Sequence, residues 1–138
     1  MRAGRILIDT GAIFASVVRN DVNHEAARKF IARVLRSRSV FVLSDVVFGE
    51  TMTLVKSRVG AETALAVGRE LRRNPLYGWV ALGTDGERDT WATFQKYDDK
   101  DWSYFDCAVL VLARRLHIDS VFAFDSHFDQ MPEITRVP

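Results

Sequence analysis

Arg5-Ile6-Leu7-Ile8-Asp9-Thr10-Gly11 sets a short apolar strand directly against an acid, and Thr10-Gly11 turns the chain into a helix. The same grammar recurs downstream. Val40-Phe41-Val42-Leu43 reads as a second strand, with Ser44 or Asp45 as the N-cap of a helix to about Val59. Trp79-Val80-Ala81-Leu82 reads as a third, with Thr84 capping a helix to about Tyr97. Ser120 to Phe124 reads as a fourth, followed at once by Asp125, and Ile134 to Val137 as a short fifth at the edge. Helical spacing also marks Val22–Arg36, Ala61–Arg73 and the strongly apolar Phe105–Leu116; Gly60 separates two of the helices, and Asn74-Pro75 ends another. Short apolar strands alternating with helices require a parallel sheet covered on both faces. The expected fold is therefore α/β, a three-layer α/β/α sandwich around a mainly parallel sheet of four or five strands.

Composition narrows the function classes. The chain has 138 residues, enough for one domain spanning 1–138, and shows no repeat or low-complexity linker. Nineteen Lys and Arg against 18 Asp and Glu leave a net charge of +1, so nucleic-acid contact has to be local rather than global. No run of about 18 apolar residues exists to cross a membrane, and no N-terminal segment resembles a signal peptide. The single Cys107 excludes an internal disulfide framework and suits a reducing cytoplasm; its apolar neighbours suggest an inert buried thiol.

Four acids stand where solvated side chains are not expected. Asp9 and Asp125 each follow a strand, the position at which open α/β sheets bind ligands, although Asp is also a favoured cap and turn residue. Glu50 shares a helix face with Val47 and Leu54, where a carboxylate destabilises unless something answers its charge, an arginine being the plain structural candidate. Asp106 interrupts Trp102-Ser103-Tyr104-Phe105-Asp106-Cys107-Ala108, and Ser103 with Asp106 has capping-box spacing. Capping and metal binding are compatible there. Carboxylates gathered at one sheet end repel unless a cation joins them, and Mg²⁺ or Mn²⁺ is the hard, oxygen-seeking choice. Zinc is disfavoured because His24, His117 and His127 are far apart in sequence. Carboxylate-held Mg²⁺ commonly serves phosphate chemistry, which points to phosphodiester hydrolysis.

The strings Ile8-Asp9-Thr10-Gly11-Ala12, Ser44-Asp45-Val46-Val47-Phe48-Gly49-Glu50, Asp101-Trp102-Ser103-Tyr104-Phe105-Asp106-Cys107 and Phe122-Ala123-Phe124-Asp125-Ser126-His127-Phe128 resemble, in order, the four acidic motifs of PIN-domain nucleases. They are most similar to small VapC-type toxins that pair with a VapB-type antitoxin. The resemblance implies a Mg²⁺- or Mn²⁺-dependent endoribonuclease acting on RNA, cytoplasmic, homodimeric and inhibited by a cognate antitoxin. It implies Asp9 and Asp106 as principal metal ligands, Glu50 and Asp125 completing the pocket, and Thr10 and Ser103 as hydroxyls that orient carboxylate or phosphate. Gly11, Ala123 and Asp129-Gln130-Met131-Pro132 depart from the common pattern, and none removes an acid.

Other readings stay open on sequence. An RNA-processing nuclease without an antitoxin and a non-cleaving acidic binding module both fit the motifs. A dehalogenase-type phosphatase would want an acid where Gly11 stands, and a receiver module wants paired acids after the first strand. Asp98, Asp99 and Asp101 read as a solvated loop, with Asp99 or Asp101 able to reach an outer metal, and Asp129 as surface. His127 reads first as a loop or cap residue, with contact to a phosphate as the alternative. Lys56, Arg58, Arg69, Arg72 and Arg73 read as solvated, with an RNA backbone as the alternative, and Trp91, Trp102 and Phe128 as packing.

Overall fold

The computed structural model describes residues 3–138. The elements run β1 (Arg5–Ile8), α1 (Thr10–Val17), α2 (His24–Arg36), β2 (Val40–Ser44), α3 (Asp45–Arg58), α4 (Ala61–Arg73) and β3 (Tyr77–Val80). They continue through α5 (Gly83–Lys96), α6 (Tyr104–Leu116), β4 (Ser120–Phe122), a short 3₁₀ turn (Ser126–Gln130) and β5 (Thr135–Val137). All strands pair in parallel in one five-stranded sheet of order β3-β2-β1-β4-β5. The α/β expectation holds, with helices against both faces of the sheet.

The strand order explains where a ligand can enter. From β1 the chain winds outward through β2 and β3, then returns to place β4 on the other side of β1. This reversal between β1 and β4 is the switch point at which the connections part and leave a crevice. Asp9 follows β1 directly, and its backbone N–H donates to the Phe122 carbonyl at 3.0 Å, which ties the acid to the end of β4. Beneath it, Ile8, Phe41, Leu43, Phe122 and Val121 are fully buried, and Phe30 packs on Phe122 with ring centroids 4.7 Å apart. Burying each such side chain contributes about 1.5–3 kcal/mol. The rim therefore stands on a rigid floor.

Several boundaries differ from the sequence reading. The third strand is Tyr77–Val80, not Trp79–Leu82. Asn74 Oδ1 accepts from the Leu76 N–H at 2.9 Å, and this turn delivers Tyr77 opposite Phe41, so pairing starts two residues early. Thr84 is not the cap of α5, because Gly83 already begins that helix with φ +73°, a left-handed conformation that glycine adopts without strain. Leu82, which precedes it, donates its N–H to Asp45 Oδ1 at 2.9 Å. The fourth strand stops at Phe122, so Asp125 stands three residues beyond it and caps the 3₁₀ turn. Helix α2 begins at His24, and Val22 is exposed in the preceding turn. Trp91 is a surface residue, 54% exposed, and among the described residues stacks only on Phe94, whereas Trp102 and Phe128 are buried as expected.

Candidate active site

Three of the four sequence-selected acids are set by helix starts, where unpaired N–H groups and the helix dipole favour a carboxylate. Asp9 is the N-cap of α1, and its Oδ2 accepts from the Gly11 N–H at 3.3 Å. Asp106 completes a capping box at α6: Ser103 Oγ accepts from the Asp106 N–H at 3.0 Å, and Asp106 Oδ2 accepts from the Ser103 N–H at 2.9 Å. Asp125 caps the 3₁₀ turn through Oδ1 and the His127 N–H at 2.8 Å. Capping thus aims these carboxylates as well as ending their loops. Glu50 is different, since it lies within α3.

What holds Glu50 is a hydroxyl. Thr10 Oγ1 donates to Glu50 Oε1 at 2.6 Å, and no arginine or lysine pairs with this carboxylate among the described residues. The arginine partner that would make Glu50 purely structural is therefore absent there. Thr51, completely buried, lies 3.2 Å from Thr10 through its own hydroxyl and 2.7 Å from the Val47 carbonyl. It braces Thr10 from behind. Sequence reasoning did not select Thr51, since a threonine inside a helix carries no signal until its partner across 41 residues is known.

Electrostatic repulsion couples Asp9, Glu50 and Asp106, whereas the group whose ligand atoms lie close enough to share one ion is Asp106, Asp125 and His127. Asp9 is 7% exposed, and its pKa rises from 3.8 to about 7, first through burial and then through repulsion from Glu50 and Asp106. The Glu50 carboxyl is also raised, by burial first and by Asp106, against the lowering effect of the Thr10 hydrogen bond. Among the described residues, no Lys or Arg forms an ion pair with Asp9, Glu50 or Asp106. Asp106 also belongs to a second group. One ligand atom each from Asp106, Asp125 and His127 lies within 4.8 Å of the others. His127 Nδ1 sits 3.0 Å from Asp106 Oδ2 and 3.3 Å from Asp125 Oδ1, and these carboxylates raise the histidine pKa, the Asp106 hydrogen bond most of all.

His127 is thus more than the loop residue its position suggested. The signal for it was thin, because an Asp followed two residues later by His is what a simple cap also looks like. Asp98, Asp99 and Asp101 are exposed, and Asp129 is held by Arg136 at 2.9 Å, so the solvated readings of these acids stand. Cys107 is buried beside Asp106, and burial pushes its thiol up to about 11, which makes it inert at neutral pH. Arg72 is not simply solvated: its guanidinium lies over the rings of Phe48 and Trp79.

The donor set fits a hard divalent cation. Its oxygens come from carboxylates that repel one another, it is free of thiolate, and its one nitrogen donor lies at the exposed edge. A cation here would offset the burial and the repulsion that together raise the Asp9 carboxyl.

Comparison with known proteins agrees with this fold. The profile of the PIN domain family matches residues 6–134. The chain is 27% identical over 123 residues to the 23S rRNA-specific endonuclease VapC20 of Mycobacterium tuberculosis, an alignment covering 89% of this chain and 91% of that protein. The crystal structure of VapC20, described as a Sarcin-Ricin loop cleaving toxin, superposes with a TM-score of 0.84 at 25% identity, over 92% of this chain and 95% of that one. VapBC2 from Rickettsia felis, solved on a DNA fragment from its promoter, shares the fold at a TM-score of 0.70 and 8% identity, over 96% of this chain and 97% of that one.

Proposed function

The chain belongs to the PIN domain family, and from that premise we propose that it is a Mg²⁺- or Mn²⁺-dependent endoribonuclease, the toxin of a toxin–antitoxin pair. The observation that carries this reading is the electrostatic coupling of Asp9, Glu50 and Asp106 without a basic partner among the described residues, beside the Asp106, Asp125 and His127 group whose ligand atoms lie within 4.8 Å of one another. A bound Mg²⁺ or Mn²⁺ would supply an activated water and charge stabilisation for phosphodiester hydrolysis. The residues divide the remaining work. Asp9 and Asp106 are the principal ligands, both nearly buried and both aimed by the ends of helices. Glu50, oriented by Thr10, and Asp125, at the exposed edge, complete the acidic ring. Ser103 acts through the backbone, since its hydroxyl holds the Asp106 N–H and thereby fixes the carboxylate. His127 steadies Asp106 and Asp125 against each other.

Residues 1–138 form one nuclease domain on this reading, working in the cytoplasm as a homodimer and restrained by a VapB-type antitoxin. The description of VapC20 as a toxin supports the toxin reading, from which the antitoxin partner follows. The named activity of VapC20 makes a stem-loop of 23S rRNA the first substrate to try. The test is cleavage of that stem-loop with Mg²⁺ or Mn²⁺ by the wild type and by Asp106→Asn. We expect a discrete cut that chelation and the substitution both abolish. Cleavage that survives chelation, or equal cleavage by the variant, would overturn the assignment.

A further inference from the structure

We propose that the cleft between α3 and the first turn of α6 takes the base of an unpaired nucleotide beside the scissile phosphate, stacked on Phe105. This rests on the ribonuclease reading above. The cleft has a volume of about 690 Å³ and is lined by Val46, Gly49, Glu50, Leu54, Arg58 and Phe105, among others. That volume lies within the roughly 300–1,000 Å³ typical of small-ligand sites. Because Glu50 lines both the cleft and the acidic site, a strand whose phosphate sits at the carboxylates has its neighbouring base at this opening.

Phe105 is the telling residue. It immediately precedes Asp106, yet it is half-buried, outside the hydrophobic core and in no ring pair among the described residues. An aromatic face held at that position by a helix start loses nothing in the fold by turning to a ligand. Leu54 and Val46 give the opposite wall an apolar surface of the kind a base covers. The polar groups nearby are mostly spoken for. Asp45 Oδ1 accepts from the Val46 and Leu82 N–H groups, and Thr53 Oγ1 donates to the Gly49 carbonyl at 3.0 Å. At the far end Arg58 lies over the Phe14 ring and has no carboxylate partner among the described residues, so its charge is free for the next phosphate. Stacking of this kind accepts every base but requires it to be splayed out of a helix, so the cleft selects looped over paired RNA rather than a sequence.

The experiment crosses two changes. Wild type, Phe105→Ala and Phe105→Trp are assayed on the 23S rRNA stem-loop and on copies carrying an abasic residue on either side of the cut. We expect Phe105→Ala to raise KM about 10-fold or more with a smaller change in kcat, in line with the loss of one stacked base. Phe105→Trp should retain wild-type KM. One abasic position should weaken the wild type equally and weaken Phe105→Ala no further. Equal abasic sensitivity in wild type and Phe105→Ala would overturn the proposal. So would a shift from dimer to monomer in Phe105→Ala by sedimentation, which would assign the cleft to a second copy of the chain. Equilibrium binding of the same RNAs to the wild type and both Phe105 variants without metal separates the two claims. Phe105-dependent, abasic-sensitive binding without any cleavage by the metal-loaded protein would fell the ribonuclease reading and leave the cleft; cleavage without Phe105 dependence would do the reverse.

Discussion

The acidic site has two halves that treat negative charge in opposite ways. On the inner side, Asp9 and Glu50 have a hydroxyl and backbone N–H groups for support but no cation among the described residues, and burial with mutual repulsion raises both carboxyls. On the outer side, Asp125 is exposed and shares His127 with Asp106, so charge there is answered by the protein's own imidazole and by water. Asp106 belongs to both. The difference teaches how each half would serve a metal: the inner half is held in an unfavourable state that a cation relieves, and the outer half brings three ligand atoms within 4.8 Å of one another.

The sharpest way to break that contrast is catalytic. Asp9→Asn and Asp106→Asn should each lower RNA cleavage by about 1,000-fold or more, beyond the roughly 10–100-fold that loss of an outer partner usually costs. Circular dichroism should show the fold retained. Activity losses no larger than those of His127→Gln would erase the distinction between the halves.

The pH dependence of the metal-free protein comes next. Asp9 has its pKa raised from 3.8 to about 7, so its contribution to stability is fully present below 3.8 and is lost as pH rises to about 7. At about 1.4 kcal/mol per tenfold change in proton affinity, that loss amounts to roughly 4 kcal/mol. Urea denaturation across this window should show the decline, and Asp9→Asn should flatten it. A wild-type profile with no Asp9-dependent slope would mean that the inner half is not strained.

Thr10→Val removes the hydroxyl that holds Glu50 and should cost about 10-fold in cleavage with a stability change near 1 kcal/mol, read by kinetics and urea titration together. His127→Gln is the smallest effect. The histidine pKa is raised, so its stabilisation is present below its ordinary 6.5 and fades as pH climbs through the raised value. The variant should lose a little stability on the acid side only, with cleavage reduced less than by Thr10→Val.

Much of this could be seen in the residues themselves, for physical reasons. The parallel sheet was legible because β1 and β2 are buried strands written as unbroken apolar runs. Edge strand β3 misled, because Gly78 and Trp79 face solvent and the apolar run that looks like a strand begins two residues late. Glu50 announced itself as a carboxylate on an apolar stripe, and the structure answers it with Thr10 rather than arginine. Asp106 was readable as cap and ligand together because both roles use the first turn of a helix. His127, Thr51 and Phe105 were hidden for one reason. Their meaning lies in neighbours 21 to 41 residues away or in an empty face, which no local spacing records.

The most direct test of the central claim, that the inner carboxylates form a metal site the apo protein holds under repulsion, is thermal unfolding at pH 7.5 with and without Mn²⁺. Wild type should melt higher with the metal, by the equivalent of about 2.7 kcal/mol when Mn²⁺ is 100 times its Kd. Asp9→Asn should melt higher than wild type without metal and gain nothing from Mn²⁺. A lower apo melting temperature for Asp9→Asn, together with an undiminished Mn²⁺ response, would contradict the account and leave Asp9 as a helix cap alone.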